Sequence, residues 1–364
     1  MRSWGNTRAG WRSSALVLSL LAAAATASAG EVVYVSNADS REISVLALAA
    51  DSGELTPLET VAVDGTVMPL AVSPDRHRLY AALRTQPYRV LSFAIEPGDG
   101  RLRKLGESAL ADSMANIATD RSGRWLFAAS YGGAKVTVNS IGADGVVGAV
   151  QQLIPTGPNA HSMQSDVANR FVFATSLGAD QISSWKFDAA SGFLSANEPA
   201  LLKTADKSGP RHIVFDRTQR FAYVVCELDA SLLAFAYDAA QGTLRTIQQT
   251  TVLPPGFSGK PWGADVHLSP DGRFLYASDR TSSTLAAFKV DAASGRLSLI
   301  GHVPTEKTPR GFAIDPKGRY LVAAGQDSHG VSVYAIDPAS GALGFLKRYA
   351  LGKNPNWVEI VDLP

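Results

Sequence analysis

The sequence predicts an all-β protein, a seven-bladed β-propeller with four antiparallel strands in each blade. Two repeated patterns support this fold. The first is a tight turn followed by a β-rich strand, as in SPDGRFLYAS (Ser269–Ser278), and the second is a strand, a glycine-centred turn and another strand, as in AAFKVDAASGRLSLI (Ala286–Ile300). Both patterns recur every 45 to 53 residues, and a period of this size that holds four short strands is typical of propeller blades.

Each pattern occurs seven times, which predicts seven blades. The strand of the first pattern is anchored at positions 33, 79, 126, 172, 222, 275 and 321, and the turn glycines of the second are Gly53, Gly100, Gly145, Gly192, Gly242, Gly295 and Gly341. The first copy lacks its leading strand, and the chain ends with an additional strand, Trp357–Val361. We therefore expect this last strand to pair with Val32–Ser36, because such a closure leaves no open blade at the seam of the ring.

The N-terminus is predicted to be a secretory signal peptide, residues 1–29, followed by one propeller domain, residues 30–364. A basic start precedes a short apolar run, Ala15–Ala25, and the motif Ala27-Ser28-Ala29, which together have the organisation of a signal peptide. Cleavage near Ala29–Gly30 predicts a periplasmic or secreted protein that has no membrane contact after processing. An uncleaved N-terminal membrane anchor is the alternative.

Composition and charge argue against several functional classes. The leader holds three Arg and no acidic residue, so the formal net charge of +1 becomes −2 in the mature chain, and a nucleic-acid partner is not expected. Cys226 is the only cysteine, and its place in a predicted buried strand favours an inert thiol. The sequence has neither zinc-ligand spacing nor a phosphate-binding glycine loop, so we expect no metal and no cofactor. We expect a monomer.

Superposing the seven copies brings two sets of equivalent positions to one mouth of the predicted central channel. The first set, where the innermost strand of a blade begins, is Met68, Ala115, His161, Arg211, Ala264 and Arg310. The second set, where the next strand ends, is Ala38, Arg84, Tyr131, Leu177, Glu227, Arg280 and Gln326. A purely structural ring does not require such chemical variety, so we predict a site here. Two longer repeat intervals predict extended loops beside the same mouth, at Ala196–Gly209 and Thr250–Gly263.

The stretch Lys207–Leu228 shows how local geometry builds this site. Arg211 and His212 open one predicted strand, and Glu227 follows the next. Antiparallel strands joined by a tight turn place these ends at the same edge of the sheet, so a guanidinium, an imidazole and a carboxylate come together. The structural alternative is an Arg–Glu surface pair that caps the hairpin. Likewise, Arg310 as a loop anchor and Arg84 as a solvated charge are the structural alternatives for those residues.

Several segments of the chain resemble the seven-bladed lactonase family, which includes the bacterial propeller-type 6-phosphogluconolactonases and fungal carboxy-muconate cyclases. The matching segments span most of the mature chain and include AHSMQSD (Ala160–Asp166), GPRHIVFD (Gly209–Asp216), WGADVHLSPDGRFLYASDRT (Trp262–Thr281) and NPNWV (Asn354–Val358). The bacterial pattern often has Cys where this sequence has Ala160. The bacterial phosphogluconolactonases act in the cytoplasm, so the predicted signal peptide is the larger departure and puts the identity of the substrate in doubt.

The resemblance implies a small-molecule lactone as substrate and His161, Arg211, Glu227 and Arg280 as the catalytic set. Lactone opening requires a base to take a proton from water and positive charge where the oxyanion develops. Glu227 or His161 can be the base, and the two arginines can bind the oxyanion or a substrate anion. Further candidates for substrate binding are His212, His267, Arg310, Tyr131, Arg84, Gln326 and His329, although strand parity favours a structural role for His267.

Two other functional classes remain compatible with the sequence. A cyclase or isomerase could perform proton-transfer chemistry on a muconate-type lactone with the same residues. A non-catalytic periplasmic binding or scaffold protein could have kept the fold without the reaction, because fold alone does not determine function. The His/Arg/Glu/Arg set favours an enzyme, since a scaffold has no need to keep it.

Overall fold

The computed structural model describes residues 1–2, 4–5 and 30–363, so the predicted signal peptide lies almost entirely outside the described residues. Residues 30–363 form seven four-stranded antiparallel sheets. The innermost strands contact one another in a closed cycle, which confirms the seven-bladed propeller. Among the described residues, one turn of 3₁₀ helix, Leu177–Ala179, is the only helical element.

The strands follow one another in chain order, four to a blade, with the first blade completed by the last strand. Blades 1 to 3 contain β1 (Glu31–Asn37), β2 (Glu42–Leu48), β3 (Leu55–Ala62), β4 (Val67–Val72), β5 (Arg78–Leu83), β6 (Arg89–Ile95), β7 (Leu102–Ala109), β8 (Met114–Thr119), β9 (Trp125–Ser130), β10 (Lys135–Ile141) and β11 (Val147–Pro155). Blades 4 and 5 contain β12 (Ala160–Ser165), β13 (Phe171–Ser176), β14 (Gln181–Asp188), β15 (Phe193–Lys203), β16 (Pro210–Phe215), β17 (Phe221–Cys226), β18 (Ser231–Asp238) and β19 (Thr243–Thr251). Blades 6 and 7 contain β20 (Gly263–Leu268), β21 (Phe274–Asp279), β22 (Thr284–Val290), β23 (Leu297–Pro304), β24 (Pro309–Ile314), β25 (Tyr320–Gly325), β26 (Gly330–Ile336) and β27 (Leu343–Ala350), and β28 (Pro355–Asp362) belongs to blade 1.

The predicted closure of the ring is confirmed. Blade 1 has the strand order β28-β1-β2-β3. Val32 pairs with Val361 and Ser36 pairs with Trp357 in an antiparallel ladder. The innermost strand of the first blade is therefore supplied by the C-terminal end of the chain.

At most blade interfaces, an aromatic residue of one blade packs on a turn glycine of the next, so the two repeated patterns contact each other. Tyr223 of β17 donates its hydroxyl to the Gly295 carbonyl of the following blade at 3.0 Å, and Tyr276 does the same to Gly341 at 2.9 Å. Gly295 has a φ of +70°, and a Cβ there would lie 2.3 Å from the ring of Phe221. A left-handed turn in close contact with an aromatic ring accepts glycine far more easily than any other residue.

One of the two predicted loops is wrong over Ala196–Lys203 and confirmed over residues 204–209, and the other is confirmed. Ala196–Lys203 does not belong to a loop, because β15 continues to Lys203. Its pairing with β14 shifts register between Ser183 and Trp185, so part of the insertion bulges from the outer edge strand, and the rest lengthens the connection to β16. The second insertion forms a loop between Thr251 and Gly263. Within the described part of the chain, no helix is long and apolar enough to cross a membrane.

Candidate active site

The two sets of equivalent positions lie at the same end of the blades. His161, Arg211 and Arg310 are each the second residue of an innermost strand, in β12, β16 and β24 respectively. Glu227 and Arg280 each follow directly after the second strand of a blade, β17 and β21. Strand periodicity therefore brings residues from four consecutive blades to one mouth of the channel.

Glu227 joins two of the arginines. Its Oε2 accepts a hydrogen bond from Arg211 Nε at 3.0 Å and another from Arg280 NH2 at 2.7 Å. Both guanidinium groups are almost completely buried, with 0% and 2% of the side chain exposed. Burial acts to raise the pKa of Glu227, but the charges of Arg211 and Arg280 outweigh it and lower this pKa below its ordinary value. Glu227 is therefore an anionic anchor for both arginines.

Each arginine keeps donors that the fold does not use. Arg211 NH1 donates to the Ala264 carbonyl and contacts His212 Nε2, while its buried NH2 has no hydrogen-bond partner among the described residues. Arg280 donates from Nε and NH2 to the carbonyls of Trp262 and Gly263, and its Cζ lies 4.0 Å from the centroid of the Trp262 ring. The free donors can bind an anionic oxygen.

His161 lies beside this cluster in an environment that keeps its imidazole neutral. Its ring centroid is 5.1 Å from that of His212 and 6.0 Å from that of Tyr131. Burial, followed by the nearby charge of Arg211, holds the pKa of His161 well below its ordinary value. The Nδ1 atom is buried and has no hydrogen-bond partner among residues 30–363, so this imidazole is available to accept or share a proton.

The mouth contains an excess of positive charge. Arg310 is also nearby, and burial together with the charges of Arg211 and Arg280 holds its pKa well below the ordinary value. The buried Nε of Arg310 has no partner among the described residues. Arg84 donates from Nε to the Ser113 hydroxyl at 2.8 Å and adds a fourth positive charge. These charges together favour the binding of an anion.

Of the remaining candidates, two histidines lie deeper in the channel. His212 Nδ1 is 2.7 Å from Asp265 Oδ1, and His267 Nε2 is 3.2 Å from Asp265 Oδ2. These three residues, with Trp357 and Glu359, line a cavity of about 280 Å³ in the channel. The position of His267 beside a buried carboxylate agrees with the expected structural role.

Gln326 and His329 lie toward the outside of the site. Gln326 donates to the Asn354 side chain at 2.8 Å, and exposed His329 accepts the Asn354 backbone N–H at 3.2 Å. Both therefore hold the segment that leads into β28. Tyr131 differs from them, because it meets His161 edge-on at the mouth.

Sequence reasoning missed three residues near the site. Asn356 is the seventh member of the first set, and it was missed because β28 lacks the repeated turn pattern. Asp265 was missed because the blade superposition sampled Ala264, the residue directly before it. Trp262, 42% exposed beside Arg280, directly precedes β20 and so lies two positions before Ala264 of the first set. No group of three His, Cys, Asp or Glu side chains in the described part of the chain is arranged to hold a metal ion.

Comparison with known proteins agrees with the fold. The family described as "Lactonase, 7-bladed beta-propeller" matches residues 25–360. The chain therefore belongs to the seven-bladed β-propeller lactonase family, and its similarity to named lactonases defines an enzyme of the lactone-hydrolase class.

Individual relatives are similar over nearly their whole length. A 6-phosphogluconolactonase of Pectobacterium carotovorum is 44% identical, with 92% of this chain and 99% of the relative covered. A 6-phosphogluconolactonase of Serratia proteamaculans is 41% identical, with 91% and 99% covered. Among solved structures, a periplasmic gluconolactonase of Pseudomonas aeruginosa superposes with a TM-score of 0.85 at 31% identity, covering 92% of this chain and 99% of that one.

Proposed function

We propose that the protein hydrolyses a phosphorylated sugar lactone of the 6-phosphogluconolactone type. The excess of guanidinium groups at the mouth carries this proposal. Arg211 and Arg280 share Glu227, whereas Arg84 and Arg310 add two further positive charges, and Arg310 has no carboxylate hydrogen-bonded to it among the described residues. An oxyanion accounts for one negative charge, so the remaining cations favour a substrate that brings its own anion.

The names of the relatives are compatible with two substrates. The curated relatives are 6-phosphogluconolactonases, and the structural neighbour is a gluconolactonase. The second candidate is therefore an unphosphorylated gluconolactone, which also agrees with the predicted export of this chain. Charge favours the phosphorylated substrate, because burying Arg310 without an anion costs free energy.

The proposed mechanism assigns separate roles to the base and the cations. Neutral His161 takes a proton from water while the water oxygen bonds to the lactone carbonyl carbon. The free donors of Arg211 and Arg280 stabilise the oxyanion. When the ring C–O bond breaks, His161 returns the proton to the leaving oxygen, and the carboxylic acid product then ionises. His161 is preferred to Glu227 as the base because its Nδ1 has no hydrogen-bond partner among the described residues, whereas Glu227 Oε2 already accepts hydrogen bonds from two arginines.

The substrate is tested by measuring proton release from 6-phosphogluconolactone, glucono-δ-lactone and a muconate-type lactone, each corrected for uncatalysed opening. We expect the highest kcat/KM for the phosphorylated lactone. Arg310→Gln should lower kcat/KM for that lactone by about 10-fold to 100-fold, as loss of one charged hydrogen bond of about 1.5–3 kcal/mol implies. The same variant should change glucono-δ-lactone hydrolysis much less.

Each alternative has a distinct outcome. Preference for glucono-δ-lactone, with no selective effect of Arg310→Gln, would support the unphosphorylated substrate. Turnover of the muconate-type lactone alone would support a cyclase or isomerase. If the folded protein opened none of the three lactones, the binding or scaffold function would replace the proposal.

A further inference from the structure

Asp265 is a buried carboxylate that the proposed mechanism does not use. It belongs to β20 and connects three blades. Its Oδ1 accepts hydrogen bonds from His212 Nδ1 at 2.7 Å and from the Val266 backbone N–H at 3.0 Å. Its Oδ2 accepts from His267 Nε2 at 3.2 Å and from the Phe312 backbone N–H at 3.2 Å. Four donors thus fix both oxygens of the carboxylate.

These contacts determine the tautomer of His212. An ionised carboxylate only accepts hydrogen bonds, so His212 Nδ1 must carry the hydrogen that lies between it and Asp265. On the other side of the ring, His212 Nε2 is 3.3 Å from Arg211 NH1. A guanidinium only donates, so Nε2 must be the unprotonated acceptor. Burial and the charge of Arg211 lower the pKa of His212 to about 4, which agrees with a neutral ring.

The same chain of contacts limits what Arg211 can do. Both hydrogens of NH1 have acceptors, the Ala264 carbonyl and His212 Nε2, and the hydrogen of Nε is directed to Glu227. NH2 is the remaining nitrogen, and it has no partner among residues 30–363. If His212 carried a hydrogen on Nε2, that hydrogen would face an NH1 hydrogen, and the guanidinium would have to turn.

We propose that Asp265 is a positioning residue of the active site: it holds His212 in the Nδ1–H tautomer, whose bare Nε2 fixes Arg211 with NH2 free for the substrate. This inference rests on the proposed function for its kinetic test. Asp265 does not contact substrate in this scheme. It acts on the reaction only through His212 and Arg211.

The test combines Asp265→Asn with Arg211→Lys in a double-mutant cycle. An amide can donate to His212 Nδ1 and so permit the opposite tautomer. We expect Asp265→Asn to lower kcat on 6-phosphogluconolactone on the order of 10-fold to 100-fold, the range found when a partner that orients a functional histidine is removed. In the Arg211→Lys background, the same change should cost little, because its effect passes through Arg211. An equal loss in both backgrounds would overturn the proposal.

Glu31→Gln is the matched control. It makes an acid-to-amide change at a buried carboxylate outside the channel, where Glu31 pairs with Lys317 and Arg319, and it should leave turnover unchanged. Should Asp265→Asn fail to fold, His212→Gln in the same cycle with Arg211→Lys replaces it, with the same two outcomes.

Imidazole ¹⁵N NMR of the wild-type protein tests the inference without any activity. We expect the His212 spectrum of a neutral Nδ1–H ring. A neutral Nε2–H ring or a doubly protonated ring at neutral pH would overturn the proposal. This measurement separates the two ideas, because absence of lactone turnover with an Nδ1–H ring would reject the proposed function and leave the tautomer assignment standing.

Discussion

Two buried carboxylates at opposite faces of the ring each bind two cations, but these cations differ in their exposure to solvent. At the mouth, Glu227 binds Arg211 and Arg280, and the exposed fractions of these side chains are 0% and 2%. At the seam between blades 7 and 1, the completely buried carboxylate of Glu31 lies 3.2 Å from Lys317 Nζ and 3.2 Å from Arg319 NH2, whose side chains are 51% and 35% exposed.

The two sites differ in the solvation of their cations. Solvent already stabilises Lys317 and Arg319, so neither requires another anion. The mouth arginines are removed from water and retain unused donors, so in the proposed function a ligand anion completes their interactions. The pKa values follow this difference: burial and Asp315 raise the pKa of Glu31, whereas the two arginines lower that of Glu227 against the effect of burial. We therefore propose that burial of both cations, and not the buried Glu alone, distinguishes the mouth from the seam as the functional site.

The largest expected effect is at His161, beside the mouth cluster. His161→Gln keeps a polar side chain but removes the proposed base, so kcat for the lactone substrate should fall on the order of 10²-fold to 10⁴-fold. Thermal unfolding serves as the control for folding, because His161 is buried between Tyr131 and His212 of the neighbouring blades. Full turnover in a folded His161→Gln protein would remove His161 from the mechanism and leave Glu227 as the candidate base.

The second prediction compares Glu227→Gln directly with Glu31→Gln. Both remove one buried charge and keep the size of the side chain. Glu227→Gln should release the two arginines and lower kcat on the order of 10²-fold, comparable to the loss of one oxyanion donor. Glu31→Gln should leave kcat unchanged and alter stability by about 1 kcal/mol or less, because its cations are partly solvated.

Parallel kinetics and urea unfolding of the two variants check this prediction. The comparison between the mouth and the seam breaks down if Glu31→Gln reduces turnover as much as Glu227→Gln. It also breaks down if Glu227→Gln retains wild-type kcat.

The smallest expected effect is on the pH dependence of stability, with opposite directions at the two sites. The folded pKa of Glu31 is raised, so its contribution is present below the unfolded pKa and is lost as pH rises through the folded value. The folded pKa of Glu227 is lowered, so its contribution is present above the unfolded pKa and is lost as pH falls through the folded value.

Unfolding free energies of the wild-type protein and both variants, measured across acidic to neutral pH, test these directions. Glu31→Gln should remove a loss of stability on the neutral side of the ordinary Glu pKa. Glu227→Gln should remove a loss on its acidic side. The same direction of change in both variants would contradict the assignment.

Much of the fold and part of the site could be predicted from the sequence, because the repeat identifies equivalent positions in the seven blades. The turn pattern placed His161 and Arg211 at equivalent strand positions, and the structure brings both to one mouth. It could not identify Asp265, since that residue contributes through hydrogen bonds between blades and not through its place in either set. The error over Ala196–Lys203 has a similar cause: spacing counts inserted residues but cannot distinguish a loop from a bulge in an edge strand.

Ring closure by β28 also determines when the fold can be completed. A chain is synthesised from its N-terminus at roughly 5–20 residues per second, so β28 appears on the order of 20–60 seconds after β1. During that interval β1 lacks its inner neighbour and exposes an unpaired strand edge to other chains. The first blade to be synthesised is thus the last to be completed. A newly made chain is therefore most vulnerable to aggregation at β1.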